Sequence, residues 1–246
     1  MATTFEILPA IDLRDGRVVR LSQGDFDRET SYEAGPVDAA IGFAAAGATW
    51  LHVVDLDAAR TGVPMNGQVI AAIVATVGER ISVEVAGGLR DEGAVAKSLA
   101  RGATRVVIGT SALEDAPWVG RLVEAHGSAR IAVAIDVRDG LAVGRGWTTG
   151  AAGIDATDAI RDLADVGIET FEVTAIERDG LLEGPNLQLY ERLVELDRGA
   201  IIASGGIASI DDIRAVRTIG CSGAIVGRAL YEGRFELGDA MSAAAE

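Results

Sequence analysis

A single cysteine, Cys221, stands in 246 residues. No internal disulfide can form, so nothing in the fold rests on a disulfide framework. Cys221 lies in IGCSGAIVG, at the start of an apolar strand. It reads as a buried structural residue rather than a nucleophile, because free cysteine behaves as a small hydrophobe. Lysine is almost missing, with Lys97 alone among 22 basic residues, and against 37 acids the formal net charge is −15. A field of that sign repels nucleic acid and anionic membrane, which argues against both as partners. Histidine is scarce as well. His52 falls inside a strand and His126 at a helix end, neither with the spacing of metal ligands, so both read as structural and no metal is expected. No GxGxxG stretch points to a dinucleotide, and no cofactor is expected. No apolar run approaches a membrane span, and the start MATTFEILPAIDL lacks the basic region of a signal peptide, so the expectation is a soluble cytoplasmic protein. Aromatics make up 4% of a chain that is 49% hydrophobic, which points to an Ala/Val/Ile/Leu interior of sheet and helix layers.

What the chain does have is alternation. Apolar runs EILPAI, TWLHVVD, ISVEVA, RVVIG, RIAVAID, TFEVTA, AIIASG and GAIVG read as strands. Between them lie helical stretches such as GQVIAAIVATVG, TDAIRDLADVG and IDDIRAVRTIG, many ending at glycine as helices commonly do. Eight such units fit a (β/α)8 TIM barrel. A doubly wound sheet alternates in the same way, but an internal repeat argues against it. AIDLRDGRVVR begins at Ala10 and AIDVRDGLAVGR at Ala134, half the chain apart. Gly87-Gly88 and Gly109 recur at the same spacing as Gly205-Gly206 and Gly227, and LHVVDLD at Leu51 is answered by FEVTAIE at Phe171. Three markers repeating in order imply two four-stranded halves, approximately 1–125 and 126–246, with no Pro/Ser linker between them. The reading is a single domain over 1–246 that can function as a monomer.

In such barrels reactive groups collect at the C-terminal ends of the strands. Asp12 ends the first strand and Asp136 the fifth, so two carboxylates face each other across the mouth, suited to acid and base work on one central ligand. The bland alternative is that they cap the DLRDG and DVRDG turns. Gly87, Gly88, Gly205 and Gly206 follow the third and seventh strands, and Gly109 and Gly227 follow the fourth and eighth. Glycine there lets backbone N–H groups approach a phosphate, helped by the next helix N-terminus. With Thr110, Ser204 and Arg228 beside them, the two sites imply a long ligand carrying a phosphate at each end. Backbone donors also explain how so acidic a chain holds an anion. Arg20, Arg145 and Trp147 follow the two AID peptides, where an arginine can pair with a carboxylate or phosphate and an indole can stack on a ring. Asp179, in AIERDGLLEG after the sixth strand, is a further exposed acid candidate.

Together LPAIDLRDGRVVRLSQGD, WLHVVDLDAA, GGLRD, VVIGTSALE, AIDVRDG, GPNL, IIASGGIASIDD and AIVGRALYEGRF resemble the phosphoribosyl isomerases of the histidine pathway over nearly the whole chain. GRGW, residues 144–147, is most similar to the actinobacterial branch known as phosphoribosyl isomerase A, whose members act in both histidine and tryptophan synthesis. The resemblance implies an Amadori rearrangement of an aminoaldose to an aminoketose, on ProFAR and on phosphoribosyl anthranilate. It makes Asp12 the general base and leaves the acid to Asp136 or Asp179. It has Arg145 meet the anthranilate carboxylate, Trp147 stack on an aromatic part of the substrate and Arg20 contact the larger substrate, with Thr174 also at the substrate. The family usually shows Thr-Asp and then Asp-Gly-Thr after the sixth strand, whereas this chain has Thr174-Ala175 and Asp179-Gly180-Leu181. The lost carboxylate and hydroxyl bear on ProFAR first, while Arg145 and Trp147 favour the anthranilate reaction. Rival readings are the sister cyclase, which typically begins with Cys-Leu-Asp where this chain has Ala10-Ile11-Asp12, and a non-catalytic phosphate-binding paralogue.

Overall fold

The apolar runs wind into a closed sheet in the computed structural model, which describes residues 5–144 and 153–246. In chain order the strands are β1 (Glu6–Arg14), β2 (Arg17–Ser22), β3 (Asp25–Ser31), β4 (Trp50–Asp55), β5 (Ser82–Ala86), β6 (Arg105–Ile108), β7 (Ile131–Arg138), β8 (Leu141–Val143), β9 (Ile154–Asp155), β10 (Thr170–Ala175), β11 (Ala200–Ser204) and β12 (Gly223–Val226). Strands β1, β4, β5, β6, β7, β10, β11 and β12 pair in parallel, β12 returning to β1 and β10 to β7. With helices between successive barrel strands, the chain is a (β/α)8 TIM barrel. No helix among the described residues is long and apolar enough to cross a membrane.

The other strands extend the barrel at two places. β2 and β3 continue β1 as an antiparallel ribbon, and β8 and β9 continue β7 in the same way. The repeated RDG peptides explain both. Asp15-Gly16 and Asp139-Gly140 all have positive φ, the two-residue hairpin geometry that Asp-Gly favours.

Alternation along each strand sorts the side chains. Ile7, Ile11, Leu51, Val53, Val83, Val85, Ile135 and Val173 face the helices in the main apolar cluster. Each such burial contributes roughly 1.5–3 kcal/mol, before the entropy of ordering the chain. Cys221 joins that layer at 5% exposure, and burial pushes its thiol up to about 12, consistent with a packing role.

Inside the barrel the apolar fill is thin: Leu8, Ala10, Ile202 and Ile225, with Trp50 against them. Charged side chains lie among them. His52 Nδ1 lies 2.6 Å from Glu84 Oε1 and 3.6 Å from Glu172 Oε2. Arg105 donates from Nε to Glu84 Oε2 at 2.8 Å, bonds the same oxygen through Nη2, and covers the Trp50 ring at 4.4 Å. Burial would push the Glu84 carboxyl up, but the His52 hydrogen bond and the Arg105 charge hold it at about 2. Glu172 has no cation of its own; burial and then the neighbouring Glu84 charge push it well above the usual carboxylate range.

Ionisation of Glu172 is thus harder in the folded chain than in the unfolded one. Its contribution to stability is complete below the ordinary carboxylate range and is lost as pH rises toward the folded value. Glu172→Gln removes that loss, so its melting temperature should gain on the parent's between pH 5 and pH 9. Thermal denaturation across that range checks it, and a difference that stays constant with pH would show that Glu172 does not titrate in this way.

Candidate active site

Parallel closure brings the C-terminal ends of the strands, and the loops after them, to one mouth. Asp12 lies near the end of β1 and is 8% exposed. Four strands round the barrel in either direction, Asp136 occupies the matching place on β7, in register with Thr174 of β10. Thr174 is in turn in register with Ser204 of β11. The carboxylates predicted to oppose each other thus stand on opposite walls.

Arg20 reaches into this mouth from β2, one residue past Val19, the antiparallel partner of Asp12. Its Nη1 donates to Asp12 Oδ2 at 2.6 Å and its Nη2 to Ala10 O at 3.2 Å. Both side chains of the pair are largely buried.

Asp179 comes from the loop between β10 and the helix Leu187–Val194. Its backbone N–H bonds Ala175 O at 3.1 Å, closing a tight turn that folds the loop back over β10. Its own carbonyl accepts from Gln23 N at 3.1 Å, and Arg228 Nη1 donates to Gly180 O at 2.5 Å. The carboxyl is pushed up to about 7, chiefly by burial; Arg20 opposes the shift, and the charges of Asp12 and Asp136 add to it. Although the sequence suggested an exposed acid, Asp179 is a half-buried residue with an enclosed carboxyl.

The glycine sites divide between two sides of the mouth. Gly205, Gly206, Ser204, Gly227 and Arg228 line one cleft together with Arg20 and Asp179. Gly206 has φ +86°, and a Cβ there would collide with Gly184 O, so only glycine lets the two loops touch. Gly88 has φ +71° and meets Ala58 on the opposite side. Gly109 and Thr110 begin the short helix Thr110–Glu114, as Gly227 and Arg228 begin Arg228–Tyr231. Among the described residues two guanidiniums, of Arg20 and Arg228, serve the β11–β12 side. Positions matching them on the β5–β6 side are Gly144 and Thr110, whose methyl lies against the Gly144 backbone. Arg145 and Trp147 lie outside the described residues.

Position 175 also has a clear place. Ala175 is fully buried in the layer between barrel and helices. Its counterpart in the repeated peptide, Asp55, accepts from Ala58 N at 2.9 Å and Asn66 N at 3.0 Å, and so organises its own loop. In the first repeat the matching carboxylate fastens a loop, and Ala175 lies in the layer between barrel and helices.

A family model described as a histidine biosynthesis protein matches residues 6–236. The chain belongs to this family. It is 48% identical over 240 residues, 98% of each chain, to the 1-(5-phosphoribosyl)-5-((5-phosphoribosylamino)methylideneamino)imidazole-4-carboxamide isomerase of Chloroflexus aggregans. It is also 43% identical over 249 residues, the whole of both chains, to the phosphoribosyl isomerase A of Streptomyces avermitilis. A second Streptomyces protein of that name, from Streptomyces griseus, is 44% identical over 98% of each chain.

In this member of the histidine biosynthesis protein family, several contributors went unread in the sequence. Gln23 clamps the Asp179 loop through its backbone, which no side-chain pattern reveals. Tyr231 donates to Ala10 O at 3.1 Å beneath Arg20 and stacks on Tyr32 with ring centroids 4.6 Å apart. The interior network did leave a signal: Glu84 in ISVEVA and Glu172 in TFEVTA are charges in otherwise apolar strands. His52, Glu84 and Glu172 bring donor atoms within 4.8 Å of one another, as metal ligands would. Arg105, however, already neutralises Glu84, and the set reads as a proton-sharing ion-pair network.

The enclosed Asp179 carboxyl should titrate near 7 in carboxyl-carbon NMR of the ligand-free protein. Arg20→Gln removes the one opposing charge among its main neighbours and should move the midpoint upward. A midpoint near 4 in the parent would remove the basis for treating Asp179 as an acid at neutral pH.

Proposed function

We propose that the chain is a phosphoribosyl isomerase of histidine biosynthesis that converts ProFAR from an aminoaldose to an aminoketose, and that it performs the same rearrangement on phosphoribosyl anthranilate in tryptophan biosynthesis. Family membership and the names of the relatives support the first substrate. The name phosphoribosyl isomerase A, together with Arg145 and Trp147 in the sequence, supports the second. The observation that carries the mechanistic reading is the contrast between two carboxyls at one mouth. Asp12 is paired with a guanidinium at 2.6 Å, whereas Asp179 is pushed up to about 7. An acid that keeps its proton near neutral pH beside a carboxylate held by a guanidinium suits a division into acid and base roles.

In this reading Asp179, protonated, gives its proton to the ribose ring oxygen, and the C1–O bond breaks as the glycosidic nitrogen forms a Schiff base. Asp12, ionised, removes the C2 proton, and the electron pair left at C2 moves toward that nitrogen. The resulting enol then relaxes to the ketone. The substrate's own nitrogen is the electron sink. Asp136 supplies a negative charge that keeps the Asp179 proton in place. The glycine sites on the two sides of the mouth hold the ligand's terminal phosphates, the β11–β12 side more strongly because two guanidiniums face it. The repeat itself is read as a doubled half-barrel, approximately 1–125 and 126–246, within a single domain. A reading as a specialist for one substrate rests on Ala175 and Leu181. The burial of Ala175 away from the mouth weakens it for ProFAR.

Steady-state assays on both substrates test the assignment, with turnover of each expected. Asp12→Asn should lower kcat by roughly a hundredfold or more, the usual weight of a general base. Unchanged turnover of both substrates in that variant would sink the base assignment. Because the acid must carry its proton, kcat/KM should fall as pH rises past about 7, and Asp179→Asn should abolish that fall along with most of the activity. A parent profile flat from pH 6 to pH 9 would contradict the acid role.

A further inference from the structure

Buried donors in folded proteins nearly always find an acceptor. Arg20 is an exception: its Nε–H is buried and bonds nothing, although Nη1 and Nη2 are both engaged. A guanidinium is planar, so two occupied corners fix where the third points. The Arg20 group lies flat against Gly227, so close that a Cβ at that position would overlap Nε, Cζ and Nη2. The vacant N–H thus stands against Gly227, which with Arg20, Gly205, Gly206 and Arg228 lines the cleft. That cleft pairs a second guanidinium with glycine backbone, so the acceptor it suits is an anion.

We propose that Arg20 is a positioning residue that ties an anion in the β11–β12 cradle to the Asp12 carboxylate, Nε–H bonding the anion while Nη1–H holds Asp12. The rigid plane would then set the distance between a ligand's phosphate and the base that acts on its sugar. This rests on Asp12 as base in the reading above and adds the link from phosphate to base. Arg20 is suited to it because it stays cationic: burial works against the charge, but Asp12, Tyr231 and Asp179 together raise its proton affinity. Among the described residues the link has no counterpart on the other side, where Gly144 stands in the corresponding place of the second AID peptide. Lysine could reach the anion or the carboxylate, but a single ammonium has no plane with which to register the two.

The test uses inorganic phosphate as probe and the Asp12 carboxyl carbon as reporter, at a pH where Asp12 stays ionised. Saturating phosphate should shift the Asp12 resonance in the parent. In Arg20→Lys, phosphate should still bind, weakened by about fivefold or less because Arg228 and the backbone remain, and the Asp12 resonance should stay still. Kinetically, Arg20→Lys should lower kcat by about tenfold or more with KM within about threefold, as for loss of a transition-state alignment. If Arg20→Lys fails to fold, as judged by circular dichroism, Arg20→Gln carries the same two measurements. A parent Asp12 resonance that ignores phosphate overturns the link, as does an equal shift in Arg20→Lys or a higher KM with kcat intact. Failure of the reaction assignment looks different: neither substrate turns over in the parent, yet phosphate still shifts Asp12, and the link stands.

Discussion

When β12 pairs with β1 and β10 with β7, every barrel strand gains neighbours on both sides and all the strands point the same way. That pairing decides where chemistry can happen. Residues far apart in the chain, at 12, 136, 174 and 204, become rim positions of one opening, and the loops that follow have nowhere to go but over it. Side chains at the rim are fixed by strand register rather than by loop conformation. This is why Asp12 and Asp136 can be held apart on opposite walls while Asp179, on a loop, folds in between them electrostatically.

The barrel interior shows the cost of that plan. A closed barrel must fill its centre, and here charged side chains do so beneath the rim. His52 and Glu172, which hold matching places in LHVVDLD and FEVTAIE, meet across the interior at 3.6 Å. Glu84 and Arg105 form a paired set that offsets desolvation, whereas Glu172 remains with Oε1 unpartnered. Buried ion pairs contribute little net stability and more to uniqueness of packing. A strand slipped by one residue would turn these groups into the apolar layer against the helices.

Much of this was legible beforehand because it is periodic. Apolar runs spaced by helical stretches gave the barrel, and recurring glycine pairs marked loops in which backbones approach closely, as Gly206 and Gly184 do. The opposed placement of Asp12 and Asp136 followed from strand count alone. Illegible were the features that depend on which distant segments touch. Asp12 and Asp136 were weighed as caps of the DLRDG and DVRDG turns, whose form the sequence left open; both are hairpin turns. Asp179 looked exposed because its loop is rich in glycine and charge, yet burial of its carboxyl depends on packing against the β2–β3 turn. Thr-Asp in sequence does not say which of the two positions faces the mouth; strand alternation at β10 puts Ala175 in the layer against the helices.

The two loops after β4 and β10 share one fastening, from the repeated Asp-Gly turns, and differ in the carboxylate of Asp55. The first is tied by its own strand, through Asp55 to Ala58 and Asn66, and from outside by Asp15 N to Asp57 Oδ2 at 2.8 Å, Gly16 N to Asn66 Oδ1 at 2.8 Å and Arg90 to Ala59 O. The second, without that carboxylate, is tied from outside: Gln23 reaches Glu177 O and Asp179 O, Asp139 N bonds Glu177 Oε1 at 2.7 Å, Gly206 O takes Gly184 N, and Arg228 takes Gly180 O. Four separate stretches of chain thus share custody of one carboxyl. Substitutions within them form an epistatic set whose effects do not add.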